Sequence, residues 1–521
     1  MKAIHRLFVL TMVSVACCCG KSAGDNSGTN TNTNNPGGNN NPVTLTSIVL
    51  NSTSVSQAAG GGSQEITITA PAKPKVDVPA AAKGWISVKE GTWEPTKFKL
   101  VITVTLTAND AYSCRRADIG ISASGVSSVT LPVKQAGREE DAYPASPAND
   151  AEARARELGL GWNLGNHLDA YSNDVANETC WGNPKATQAT FDGLKAAGFM
   201  TVRIPVTWMG HIGASPNYKI EEAWIARVEE VVGYAEKAGL KVILNTHHDE
   251  DHGDNHWQNL KNAVNDAAAN ERIKEEISAV WTQIAQRFKD KGDFLMLESF
   301  NELIYGSEWA SYSNTEKKCN VINEWNQVFV DAVRATGGNN ATRWLGVPGY
   351  AANPGYLKYV TVPVDPAGKT MLAFHCYDPY DYTIGDKQLA DWGHSGSAYK
   401  NGEEEINALF SSLHDTYVAN NIPLYMGEFG CSFRDSHNTK AWSFFLYYLE
   451  YVVKAAKTYG IPAILWDNGA VGTGKERHGY IDHGTGDYVN DAAQQAVRVM
   501  TKAWKCNDSS YTLDSVYNSA P

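Results

Sequence analysis

Phe294-Leu295-Met296-Leu297-Glu298-Ser299-Phe300-Asn301-Glu302 is an apolar run that ends in an amide and a carboxyl. A strand that is apolar along its length and ionisable at its end opens on a site, because a packed core has no use for the charge. The pattern repeats on both sides of this stretch. Apolar runs at Leu158 to Asn163, Thr201 to Val206, Lys241 to Thr246, Phe294 to Phe300, Thr342 to Val347, Thr370 to His375, Pro423 to Gly427 and Pro462 to Trp466 make eight candidate strands. Amphipathic stretches separate most of them, as over Glu221 to Ala238, Asn270 to Lys289, Asn323 to Thr336 and Trp442 to Thr458. Eight such repeats predict an α/β fold, a closed (β/α)8 TIM barrel over residues 151–506, with chemistry at the C-terminal strand ends.

Those ends are unusually polar. Strand one leaves through Asn163-Leu164-Gly165-Asn166, strand two carries Arg203, and strand three ends in His247-His248-Asp249. Strand four ends in Asn301-Glu302, strand six in His375-Cys376-Tyr377, strand seven in Glu428 and strand eight in Trp466-Asp467-Asn468. Asn-Glu occurs four times in the chain, but only Asn301-Glu302 follows an apolar strand. Glu302 and Glu428, on strands four and seven, face each other across the barrel mouth. A facing carboxyl pair suits glycosidic bond cleavage: one protonates the leaving oxygen, and the other, ionised, attacks the anomeric carbon when the two lie roughly 5–5.5 Å apart. Arg203 is suited to keep one carboxylate ionised, Tyr377 to hydrogen-bond it, and Trp466 to stack on a sugar ring.

The rest of the 521 residues divides by composition. Lys2 and Arg6, the apolar Leu7 to Val15 and Ala16 before Cys17-Cys18-Cys19 read as an export signal over residues 1–19, too short to span a bilayer. Residues 20–42 are mostly Gly, Ser, Thr and Asn, with almost no apolar residue, and read as a flexible tether. Residues 43–137 alternate with period two, as in Leu100, Ile102, Val104 and Leu106, and predict a small antiparallel sandwich of immunoglobulin-like type. Residues 138–150 are a second linker and 507–521 a tail. The six cysteines beyond the first cluster form no close pair, so neither a zinc site nor a disulfide framework is indicated. The 45 Lys and Arg against 57 Asp and Glu give a net charge of −12 with no basic run, so nucleic acid is not an expected partner. Thirteen of the 15 Trp lie beyond residue 137, which places the demand for flat apolar faces in the barrel.

Three resemblances sharpen this reading. Residues 1–19 resemble a Bacteroidetes-type lipoprotein signal, which implies lipidation at Cys17 and anchoring to the outer membrane. Trp85-Ile86-Ser87-Val88, Arg116-Ala117-Asp118-Ile119 and Val133-Lys134-Gln135-Ala136-Gly137 resemble the BACON domain of glycan-degrading proteins, with a spacer role expected and Trp85, Trp93 and Tyr112 as candidate glycan contacts. Arg203, His247, Asn301-Glu302, His375, Tyr377, Glu428 and Trp466, in that order, resemble the retaining glycoside hydrolases of family 5 in clan A. Gly161-Trp162-Asn163-Leu164-Gly165-Asn166 and Glu178-Thr179-Cys180-Trp181-Gly182-Asn183-Pro184 resemble its subfamily 4, whose members cleave β-1,4-glucans and often xyloglucan.

That likeness implies Glu302 as acid/base and Glu428 as nucleophile, with no cofactor and no metal. It implies Asn301 at a sugar 2-hydroxyl, His247 at the cleavage subsite, Arg203, His375 and Tyr377 around the nucleophile, and Trp466 as the floor. His248, Trp257 and Trp392 join the candidate substrate contacts, while Trp181 and Trp309 stand as platforms or as cover. Glu298-Ser299-Phe300 departs from the Gly-containing segment usual there, which bears on local packing. The expected protein is a monomeric endo-β-1,4-glucanase acting on xyloglucan or mixed-linkage glucan, with mannan a further option. Two other readings stay open: a metal-dependent barrel hydrolase using the His247 to His252 run with His256, and a lipid-anchored glycan-binding protein without catalysis.

Overall fold

The computed structural model describes residues 45–58, 60–109, 115–135, 147–250, 256–508 and 510–521. The signal, Cys17 and the tether at 20–42 lie outside them, as do Tyr112, Cys114 and most of the second linker. Eight parallel strands close a barrel: β1 (Leu160–Asn163), β2 (Thr201–Ile204), β3 (Lys241–Asn245), β4 (Leu295–Glu298), β5 (Leu345–Pro348), β6 (Thr370–Cys376), β7 (Leu424–Phe429) and β8 (Ala463–Leu465), with β8 pairing back to β1. Each falls within a residue or three of the predicted run. Every residue of these strands but Lys241 is buried, as a sheet covered on both faces requires. The covering helices include Gln188–Ala197, Glu222–Lys237, Ala267–Arg287, Thr315–Ala335, Gly402–Thr416, Thr439–Thr458 and Asp491–Lys505, while β5 reaches β6 through 3₁₀ turns at Tyr350–Ala352 and Pro354–Tyr359.

The barrel interior is filled in layers. Ile243, Met296, Met371, Ala373 and Tyr425 form the lower one. Above it comes a polar layer, because Asn163, Arg203 and Glu298 point the same way. Gly346 makes this possible: a Cβ there would stand 2.2 Å from the Tyr425 hydroxyl, which donates to Glu298 at 2.6 Å. A second glycine re-aims β7. Phe374 pairs with Met426 but the next residue, His375, pairs with Glu428, so the register slips at Gly427. A slip of this kind turns a side chain to the other face of the sheet. It brings Glu428 into the barrel mouth although Tyr425, three residues earlier, also faces inward.

The N-terminal region is two four-stranded sheets. One orders Val49–Leu50, Gly62–Thr69, Lys99–Leu106 and Ile86–Glu90; the other orders Val55–Gln57, Val129–Gln135, Arg115–Ser122 and Lys75–Asp77. Ile66, Ile68, Leu100, Ile102, Val104, Ile119, Ile121, Leu131 and Val133 form the core. The expectation of a wholly antiparallel sandwich needs one correction, since Val55–Gln57 pairs in parallel with Val133 to Gln135. Trp85 and Trp93 pack against this core, and the Arg115 guanidinium covers the Trp85 ring at 4.5 Å. Thr46–Pro521 is one compact unit. The sandwich meets the barrel through ions: Arg116 and Lys134 lie 3.1 and 3.2 Å from Asp487, and Arg116 lies over the Tyr488 ring.

Candidate active site

Arg203, fully buried on β2, organises the mouth of the barrel. Its Nε donates to Glu298 Oε2 at 2.7 Å, Nη1 to Glu428 Oε1 at 2.9 Å and Asn163 Oδ1 at 3.1 Å, and Nη2 to Asn301 Oδ1 at 2.9 Å. Burial works against its charge, and Glu298 and Glu428 outweigh that penalty. The planar fork thus fixes three strand ends at once. Glu298, which the sequence marked only as a departure bearing on packing, is the second counter-charge of this arginine. Its signal was present: a Glu two residues after the inward Met296 also faces inward, and an inward carboxylate needs a cation.

Glu428 also accepts from the Tyr377 hydroxyl at 2.9 Å. His375 Nδ1 stands between the two glutamates, 2.6 Å from Glu302 Oε1 and 3.8 Å from Glu428 Oε2. Donor atoms of Glu302, His375 and Glu428 all lie within 4.8 Å of one another. Burial pushes Glu302 up to about 7, against the pull of Arg203 and His248. Burial raises Glu428 as well, and the charge of Glu302 adds to this, while Arg203 and the Tyr377 hydroxyl favour its ionised form. Burial lowers His375 to about 4, so its imidazole is neutral near pH 7. The two carboxyls therefore differ in surroundings: one is solvated by a guanidinium and a phenol, the other faces a neutral ring.

The floor is equally built. The Trp466 ring lies parallel to His247, with centroids 5.9 Å apart. Gly165 leaves it room, for a Cβ there would stand 2.8 Å from Trp466 Cη2. Asp467 holds this strand end by accepting from Trp162 Nε1 and from the Tyr480 and Ile481 N–H groups. His247 is buried, its pKa pushed well below the usual imidazole range by desolvation, and its Nδ1 faces Asn245 Nδ2 at 3.2 Å, which leaves Nε2–H as a donor. His248 lies on the rim beside Trp181 and Tyr171.

The loop aromatics divide. Trp181 and Trp309 are 42% and 55% exposed, and Trp181 lies beside His248. Trp257 is part-buried and donates to Asp249. Trp392 corrects the expectation of a substrate contact: it is fully buried among Tyr382, Tyr447, Tyr448 and Tyr451. A bulky ring in a long loop reads alike on either side of that loop, and here the helix Thr439–Thr458 claims it.

Among the described residues, the later members of the histidine-rich run turn to other partners. Asp249 turns to the Trp208 and Met209 N–H groups, His256 to the Glu250 carbonyl, and Asp251 and His252 lie outside the described residues. Among the described residues, Asp169, His247 and His248 do come together, but both Asp169 oxygens already accept backbone N–H groups. Cys180, Cys319, Cys376, Cys431 and Cys506 are free thiols.

An eight-stranded parallel barrel with a close carboxyl pair at its C-terminal rim is the arrangement of a barrel glycoside hydrolase. The cellulase model, glycosyl hydrolase family 5, matches residues 168–472, and the chain belongs to that family. It is 37% identical to an endoglucanase A of Ruminococcus albus over 350 residues, 66% of this chain and 90% of that protein. It is 34% identical to a xyloglucan-specific endo-β-1,4-glucanase of Bacteroides ovatus over 437 residues, 79% of this chain and 84% of that one. A solved Bacteroidetes-affiliated GH5 cellulase linked with a polysaccharide utilization locus is 44% identical, with a TM-score of 0.69, covering 72% of this chain and 98% of its own. The activity is therefore of endoglucanase type, on β-glucans.

Proposed function

We propose that the protein is a retaining endo-β-1,4-glucanase of xyloglucan or mixed-linkage glucan, with Glu428 as nucleophile and Glu302 as acid/base. The observation that carries this is the pairing itself: two carboxyls within 4.8 Å, one held by Arg203 and Tyr377 and the other pushed up to about 7. A Glu428 oxygen bonds to the anomeric carbon as the glycosidic bond breaks, and the Glu302 proton passes to the departing oxygen. Water then attacks the same carbon, gives its proton to Glu302 and displaces Glu428, so configuration is retained. Asn301, with Oδ1 taken by Arg203, has its amide N–H groups for the sugar 2-hydroxyl, and His247 has Nε2–H to offer a sugar hydroxyl. No step calls for a cofactor.

The Bacteroides ovatus relative supports xyloglucan as substrate, since its coverage extends beyond the barrel. The signal resemblance supports an outer-membrane lipoprotein anchored through Cys17, a monomer carried on a BACON-like spacer. The test is hydrolysis of xyloglucan, barley glucan and mannan side by side, with the anomer of the first product followed by NMR. Oligosaccharides of retained configuration from the first two are expected; inverted product would refute the mechanism, and preference for mannan the substrate.

A further inference from the structure

The strand that leads to Asn301 and Glu302 ends on a lost ladder bond. Leu297 and Glu298 pair with Leu345 and Gly346 of β5, and the Ser299 N–H donates to the Gly346 carbonyl at 2.9 Å. A parallel ladder would next return an N–H from residue 348 to the Ser299 carbonyl. Residue 348 is proline and has no N–H to give. Side chains take over the pairing. Thr246, at the end of β3, donates its hydroxyl to the Ser299 carbonyl at 2.8 Å and accepts from Gln258 Nε2 at 2.6 Å. Ser299 Oγ donates to Asn326 Oδ1 at 2.7 Å, and Asn326 Nδ2 donates to the Pro348 carbonyl at 2.9 Å. Thr246, Gln258, Ser299 and Asn326 are all wholly buried.

This relay crosses the rim just below the catalytic pair. Gln258 belongs to the loop after β3, where its N–H donates to the Asp249 carbonyl at 2.9 Å, and Asn326 to the helix Thr315–Ala335. Ser299 stands two residues before Asn301, whose side chain Arg203 holds, and three before Glu302, whose side chain meets His375 at 2.6 Å. Those contacts grip side chains; the relay grips the backbone that carries them. We infer that Thr246 and Ser299 are positioning residues for Glu302, their hydroxyls fixing the end of β4 so that this carboxyl meets the departing oxygen. Without the Thr246 hydroxyl the Ser299 carbonyl is left buried and unpaired, and the backbone must move to satisfy it. Such a movement disturbs proton delivery more than attack by Glu428, which a different strand carries. The inference rests on the reading of Glu302 as acid/base given above.

The experiment compares wild type with Thr246→Val, Thr246→Ser, Ser299→Ala and, as a control, Glu302→Gln. kcat/KM is measured on cellotetraose and on 2,4-dinitrophenyl β-cellobioside, whose leaving group departs without a proton. Thr246→Val and Ser299→Ala should each lose about tenfold or more on cellotetraose and less than about threefold on the aryl substrate, the mark of a slightly misplaced acid. Thr246→Ser, which keeps the hydroxyl, should stay within about threefold of wild type on both. Equal losses on the two substrates, no loss in the variants without a hydroxyl, or a Thr246→Ser enzyme as slow as Thr246→Val would overturn the inference. Should Thr246→Val not fold, Ser299→Ala decides by the same criteria. The control separates the two readings. If Glu302→Gln shows the substrate split and the hydroxyl variants do not, the inference fails and the acid assignment stands; if Glu302→Gln shows no split, the assignment falls and the inference with it.

Discussion

At the scale of single residues, the site works by giving two like groups unlike neighbours. Glu428 has a guanidinium and a phenol; Glu302 has a neutral imidazole and burial. With Glu302 at about 7, the fraction that carries a proton falls as pH rises through that value, so the first step should weaken on the alkaline side. Glu302→Gln should remove that alkaline limb. On unactivated glucan it should cost about 10²–10⁴ in kcat/KM, and on 2,4-dinitrophenyl β-cellobioside far less, because that leaving group needs no proton. Equal losses on both substrates would contradict the acid role. The pair and Arg203 were legible because each breaks an apolar run at the same end. Glu298 was harder to read because it sits inside its strand, where only its partnership with Arg203 and Tyr425 shows what it does.

Among elements, the strands were readable and the loops were not. Strand burial on both faces writes a continuous apolar run into the sequence, whereas a loop tryptophan serves equally inside or outside, as Trp392 and Trp309 show. Alternation also misleads at β7. Counting in twos from the inward Tyr425 would turn Glu428 outward, and only the register slip at Gly427 restores it. A Cβ at Gly427 would stand 3.0 Å from His375 Nε2, so Gly427→Ala must displace the ring that touches Glu302. We expect a loss of about 10–100-fold in kcat/KM, the scale of a small misplacement in a catalytic site, with the thermal midpoint little changed. Full activity in that variant would show that the slip does not position the catalytic groups.

At the scale of the molecule, the sandwich and barrel each have their own core, and polar groups join them. Lys134 and Arg116 reach Asp487 from the sandwich, with further bonds to the Thr485 and Gly486 carbonyls. Half-exposed ion pairs contribute little stability, about 0–1 kcal/mol, and weaken in salt. Asp487→Asn should therefore leave unfolding nearly unchanged while loosening the sandwich, seen as a larger radius of gyration in small-angle scattering; identical scattering in low and high salt would contradict the ionic seam. The active site depends on none of this, since its groups lie on one barrel rim. The most direct test of that rim is to trap the intermediate with an activated 2-deoxy-2-fluoro-β-cellobioside and locate the adduct by peptide mass spectrometry. A single fluoroglycosyl group esterified to Glu428 is the predicted result; no adduct, or one on another residue, would contradict the account.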